Sequence, residues 1–262
     1  MIPEYIDAES PTDRRPVLNI YTTANVIVGT CGFPRSRREV YRSLDAVELQ
    51  ETFYNLPNEQ RMENLAREAP EGFVFTVKVF QGITHPAGSP TYRRTRGFKP
   101  GEGHGLLRPT RENLELWDLF RRLVAPLKPR IYVFQTPPSM RADLLREALE
   151  FFRSIGGEGA FVWEPRGEVA TVRDLDAALA DVGVSLVVDP LKRGVPRSPV
   201  HYFRLHGLGK GEVNYKYKYT DSDLIRLKYS IKNLKNPYIM FNNIHMFDDA
   251  MRFKRLASED AV

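Results

Sequence analysis

Eight short apolar runs, at 26–29, 46–50, 73–78, 131–135, 161–164, 186–189, 202–206 and 238–242, punctuate this chain, and most of them end on a polar or charged residue. Between them lie mostly segments with the one-sided apolar spacing of amphipathic helices. A strand–helix alternation repeated eight times predicts a closed parallel (β/α)8 barrel of the TIM type. In such a barrel the C-terminal strand ends form the active face, so the residues closing each run outline a site. At 262 residues the chain has the length of one such barrel. The expected organisation is an extension over 1–24, a single barrel domain over 25–257 and a tail over 258–262.

Strand alternation sharpens the outline. In the second run Val47 and Leu49 are apolar while Glu48 and Gln50 share the other face; in the seventh, Phe203 and Leu205 oppose Tyr202, Arg204 and His206. Helix-facing positions must be apolar, so the polar set points inward. Glu48, Gln50, Lys78, Gln135, Glu164, Arg166, Asp189, Arg204, His206 and Asn242 are thereby expected at one mouth. Helix starts are read at Asn58, Thr110 and Ser139, and as capping boxes at Thr171/Asp174 and Thr220/Asp223. The helix after Thr110 should turn Leu114, Trp117, Phe120 and Val124 inward. The LKRGVPRSP segment after Asp189 is too short and proline-broken for a full sixth helix.

Charge and cysteine content narrow the function. The formal net charge is +5. Between Gly82 and Thr110, Arg93, Arg94, Arg96, Lys99 and Arg108 face the single acid Glu102, a local +4. This proline- and glycine-rich stretch reads as an irregular flap over the mouth, suited to an anionic partner such as nucleic acid or a phosphorylated small molecule, or else as a solvated loop. A single cysteine, Cys31, excludes an intrachain disulfide and a cysteine-cluster metal site. No apolar run is long enough to cross a bilayer and the N-terminus has no signal-like apolar stretch, so a cytoplasmic protein without membrane contact is expected.

The mouth residues suggest roles. Glu164, Asp189 and His206 are the candidate catalytic groups, since two carboxylates in a shielded pocket can split into an acid and a base and an imidazole can shuttle a proton. The competing reading has Arg166 neutralising Glu164 and Arg204 neutralising Asp189. Glu48, Lys78, Gln135, Arg166, Arg204 and Asn242 are the candidate substrate-binding set, with Lys78, Arg166 and Arg204 as an anion cluster. A Schiff-base role for Lys78 is conceivable, although Glu48 is expected to hold the amine protonated. Glu48, Glu164, Asp189 and His206 could also hold one divalent ion. Arg93, Arg94, Arg96 and Lys99 form the candidate nucleic-acid flap, with Tyr54, Tyr215, Tyr217 and Tyr219 available for base stacking or for packing.

Several segments together resemble the YecE-like family, domain of unknown function 72: VGTCGF at 28–33, VELQETFYNLP at 47–57, FVFTVKVFQGITH at 73–85, WEPRG at 163–167, YFRLHG at 202–207, YKYTDSDL at 217–224 and FNN at 241–243. That resemblance independently implies a barrel, similar to those of apurinic endonucleases and xylose isomerases, and carries no settled activity. Multi-zinc barrels of the endonuclease kind are histidine-rich. Here only His206 falls on a strand end, while His85, His104, His201 and His245 lie elsewhere, so a multi-zinc centre is not expected. The expected function is binding of a phosphate-bearing ligand, a nucleic acid strand or nucleotide, with hydrolysis as one outcome. The alternatives are a non-catalytic nucleic-acid or protein binding module and a metal-assisted sugar isomerase or hydrolase.

Overall fold

A computed structural model describes residues 26–259; the expected extension over 1–24 and the last three residues of the expected tail lie outside the described residues. Eight strands form one sheet: β1 (Ile27–Cys31), β2 (Ala46–Leu49), β3 (Val74–Lys78), β4 (Ile131–Gln135), β5 (Ala160–Glu164), β6 (Val184–Leu186), β7 (Tyr202–Leu205) and β8 (Tyr238–Phe241). Their order is β6-β5-β4-β3-β2-β1-β8-β7, with every neighbouring pair parallel. The ring closes between β6 and β7 through one parallel bridge, Val188 to Phe203, with Arg204 N donating to Val188 O at 3.2 Å. A (β/α)8 barrel is therefore the fold.

Each strand leads into a helix: Arg37–Ser43, Glu59–Glu68, Arg111–Val124, Leu145–Ser154, Leu175–Ala180, Pro190–Arg193, Asp221–Ile231 and Met246–Ser258. The sixth is one turn long, as its prolines dictate. Asn58 and Thr110 cap their helices through Arg61 N and Asn113 N, and Thr220 with Asp223 makes a full capping box. Two starts differ from expectation. Thr171 belongs to its own 3-10 turn, donating to Glu168 O at 2.8 Å, and Asp174 takes a left-handed φ of 53° with no side-chain cap. A 3-10 turn, Ala142–Leu144, also separates Ser139 from its helix. In Arg111–Val124, Leu116 rather than Leu114 is fully buried beside Trp117, Phe120 and Val124. The last helix runs to Ser258, past the expected end of the barrel.

The two strand faces separate as alternation demands. Val47, Leu49, Phe75, Val77, Phe134 and Trp163 pack outward under the helices of one half, and Phe203, Leu205, Ile239 and Phe241 do so in the other. Inside, Ala46, Ile131, Val133, Val162, Tyr202 and Met240 form a dry floor. Gly29 on β1 faces this floor where space is shortest: a Cβ there would lie 2.5 Å from Ala46 O and 2.8 Å from Met240 Cε. Above the floor the lining turns polar, from Thr76 and Glu48 to Lys78, Gln135, Glu164, Arg204 and His206. Polar side chains thus collect at the C-terminal strand ends because only there does the interior open.

Candidate functional site

Arg204 is the centre of the mouth. Its side chain is 1% exposed and reaches from β7 across the barrel, where Nη2 meets Glu48 Oε1 at 2.9 Å and Nη1 meets Glu164 Oε2. One guanidinium thereby neutralises two buried carboxylates on opposite strands, using the fork geometry that suits arginine to this task. Glu48 is completed by the Tyr202 hydroxyl at 2.8 Å, by the Gln50 amide and by a 3.5 Å contact from Cys31 Sγ. The Tyr202 hydroxyl also meets Thr76 Oγ1 at 2.8 Å. Tyr202 was missing from the expected site, yet it shares the inward phase of Arg204 and His206.

Glu164 is equally crowded. Its Oε1 accepts from Gln135 Nε2 at 2.8 Å and from Arg166 Nη2 and Nε at 2.9 and 3.2 Å. Burial alone would raise this carboxyl; Arg204, then His206 and Arg166, overturn that and hold it well below the ordinary carboxylate range. Glu164 is thus a fixed anion rather than a proton carrier. His206 Nε2 lies 3.3 Å from Glu164 Oε1, in contact but outside hydrogen-bond alignment. Asn242 Nδ2 lies 3.1 Å from Nδ1 and can donate to it. Burial, only partly countered by Glu164, lowers the imidazole below its ordinary value.

Asp189 behaves differently. The expected strand 186–189 stops at Leu186, and Asp189 becomes the N-cap of Pro190–Arg193, with Oδ1 accepting from Leu191 N at 3.0 Å. The pairing with Arg204 that the competing reading required does not form, because Arg204 gives both Nη atoms to Glu48 and Glu164. Asp189 Oδ2 is buried without a hydrogen-bond partner among the described residues. Burial, partly opposed by Leu191 N and Lys192, pushes the acid up to about 6. With Glu164, Arg166, Lys192, Arg193 and His206 it lines a cleft of about 340 Å³.

Lys78 also departs from expectation. Glu48 is committed to Arg204, and the lysine amine sits instead over the Phe53 ring, 4.1 Å from its centroid. Burial, then the like charge of Arg204, lowers it to about 7. His85, whose ring centroid lies 5.0 Å from that of Phe53, is driven by burial and by Lys78 down to about 3. Lys78, Arg166 and Arg204 do share the mouth, but Arg204 gives both Nη atoms to carboxylates, and its Nε is buried without a partner among the described residues.

The donor set does not suit the divalent ion that Glu48, Glu164, Asp189 and His206 could have held. Glu48 and Glu164 spend their oxygens on Arg204, Arg166, Tyr202 and Gln135, and a guanidinium stands where a dication would have to sit. Among the described residues no group of three or more His, Cys, Asp or Glu side chains converges as a metal set.

The basic flap is folded down rather than free. Tyr92 donates to the carbonyls of Gln81 and His85 at 3.1 Å, Arg96 N donates to Asn55 at 2.7 Å, and Leu107 is fully buried. Arg108 turns back onto the carbonyls of His104 and Glu102. Arg93, Arg94, Arg96 and Lys99 remain exposed. Arg94 stacks on Tyr54, 3.8 Å from its centroid, and with Arg96, Asn55 and Gln50 borders a second cleft of about 720 Å³. The hydroxyls of Tyr217 and Tyr219 are held by Asp223 and Gly207 N; Tyr219 is buried and Tyr217 half-buried. Asn243 likewise braces Tyr217 O and Asp249.

No helix among the described residues is long and apolar enough to cross a membrane. A DUF72 family protein from Thermotoga maritima superposes with a TM-score of 0.64 at 21% identity, over 89% of this chain and 99% of that one. A DUF72 family protein from Enterococcus faecalis gives 0.63 at 18% identity, over 89% and 97%. These likenesses establish the shared barrel. No curated protein matches the chain. The family described as Protein of unknown function DUF72 matches residues 34–261, nearly the whole barrel, and the chain belongs to that family.

Proposed function

We propose that the protein binds a small phosphate-bearing ligand in the cleft between Glu164, Asp189 and His206, and that Asp189 exchanges a proton with it. The supporting observation is the contrast between the two carboxylates. Glu164 is locked by three cationic or amide partners, whereas Asp189 Oδ2 is buried, unpartnered and near half-protonation at pH 6. A group poised close to working pH is suited to general acid–base chemistry, hydrolysis included. Arg166 gives Nε and Nη2 to Glu164, which leaves Nη1 for an anion, and Lys192 and Arg193 add positive charge at the rim. Glu48 and Arg204 act as the rigid base of the site, and Gln135 and Asn242 orient Glu164 and His206.

A nucleotide or nucleic acid strand is the reading favoured by the second cleft, where exposed Arg94 and Arg96 flank the Tyr54 ring. Calorimetric titration with inorganic phosphate, AMP and a ten-residue oligothymidine tests both scales. Arg166→Ala should weaken all three by roughly ten- to a hundredfold, the cost of one charged hydrogen-bond partner. The triple change Arg93→Ala, Arg94→Ala and Arg96→Ala should weaken the oligonucleotide alone and flatten its salt dependence. Phosphate binding that ignores Arg166 would refute the anion site. An oligonucleotide affinity indifferent to salt would refute the polymer reading.

A further inference from the structure

Of the three cations expected as an anion cluster, Lys78 is the one without a carboxylate partner among the described residues: Arg166 and Arg204 hold Glu164, Arg204 holds Glu48, and the lysine amine lies over the Phe53 ring. We propose that Lys78 captures the carbonyl group of an aldehyde- or ketone-bearing ligand as a Schiff base. The inference rests on the anion site proposed above for positioning the rest of that ligand.

Topology places the amine suitably. Lys78 ends β3, between the strand that leads to Gln50 in the second cleft and those that carry Gln135 and Glu164. The Thr52 hydroxyl donates to Lys78 O at 2.6 Å and fixes the strand end beneath the side chain. Burial is the largest cause and the like charge of Arg204 the next, and together with Arg166 they outweigh the opposing charges of Glu48 and Glu164. A large share of the amine is therefore neutral near pH 7, as a nucleophilic lysine requires. The amine nitrogen adds to the carbonyl carbon, and the former carbonyl oxygen leaves as water. The product is an imine, which keeps one proton on nitrogen when cationic. The surrounding carboxylates, already anionic, stabilise that cation.

Pyridoxal 5′-phosphate, an aldehyde carrying a phosphate, is the probe, with pyridoxal as the phosphate-free control. The full chain is treated at pH 7.5, reduced with borohydride, and mapped by peptide mass spectrometry. One equivalent should attach to Lys78 ahead of the exposed lysines, and inorganic phosphate should suppress it at least tenfold. Lys78→Arg and Lys78→Met, each checked for wild-type circular dichroism, should lose that label. Modification spread over exposed lysines such as Lys99 and Lys210 with Lys78 untouched overturns the proposal, even if calorimetry still detects phosphate binding. Labelling of Lys78 that phosphate does not suppress and that pyridoxal matches keeps the Schiff base and overturns the anion site instead.

Discussion

Replacing Arg204 with methionine keeps much of the side-chain bulk and removes the charge that two buried carboxylates share. Glu48 is fully buried and would keep only neutral partners, the Tyr202 hydroxyl, the Gln50 amide and Cys31 Sγ. Glu164, at 10% exposure, would keep Arg166 and Gln135. Most of the cost therefore falls at Glu48, and breaking one buried pair in this way costs about 3–5 kcal/mol. For a domain of this size that corresponds to a drop in Tm of roughly 6–20 °C. The sign of the pH dependence follows from Glu164. Its folded value lies below its unfolded one, so its pairing stabilises the protein above the unfolded value, about 4.3, and that contribution fades as pH falls through the folded value. In Arg204→Met, Glu164 loses the cation that does most to hold it ionised and takes a proton more readily, so the deficit should be widest at pH 7–8 and narrow toward pH 5. Urea unfolding of both proteins across that range measures it. Adding Glu48→Gln to the variant should recover part of the loss, although the same change alone should destabilise the wild type. A deficit below about 1 kcal/mol at pH 7.5, or one equal at both ends of the range, would refute the central ion network.

Asp189→Asn should stabilise the fold at pH 8 by about 1–3 kcal/mol, because an acid whose folded value is raised to about 6 costs stability once ionised; thermal melts at pH 8 and pH 4 should show the gain at the first and its disappearance at the second. Tyr202→Phe leaves Glu48 Oε2 with only the long Cys31 Sγ contact, removes the hydroxyl partner of Thr76 Oγ1, and should cost about 1–3 kcal/mol in denaturant titration. Gly29→Ala forces a Cβ to within 2.5 Å of Ala46 O and should cost at least about 1–3 kcal/mol. A melting temperature equal to wild type would show that β1 and β2 can part without penalty.

The barrel was legible because two periods recur eight times, and the mouth because alternation assigns each strand-end residue a face. Glu48, Lys78, Gln135, Glu164, Arg204 and His206 all stand where that rule puts them. What alternation cannot reveal is who meets whom across the interior. Tyr202 reaches Thr76 and Glu48 over 126 and 154 positions, distances set by strand tilt and stagger rather than by any local pattern. The same blindness assigned Glu48 to Lys78 and left Arg204 as a competing partner for Asp189. At Asp189 the apolar run continues through Val187 and Val188 after the strand has stopped, so hydropathy does not mark where ladder yields to helix cap. The flap misled through composition. Its prolines and arginines hide Leu107 and Tyr92, the two side chains that fasten it down.

The ring is sewn shut unevenly. Seven of its joints carry ladders of three to five paired residues, while β6 and β7 meet through a single bridge. That thin joint uses the amide of Arg204 and abuts Asp189, so a transient parting of these two strands would shift the central cation and the poised acid together. Amide exchange at Arg204 should consequently outpace that of other strand-centre amides, such as Val133, and the most yielding line in the wall runs beside the proposed cleft.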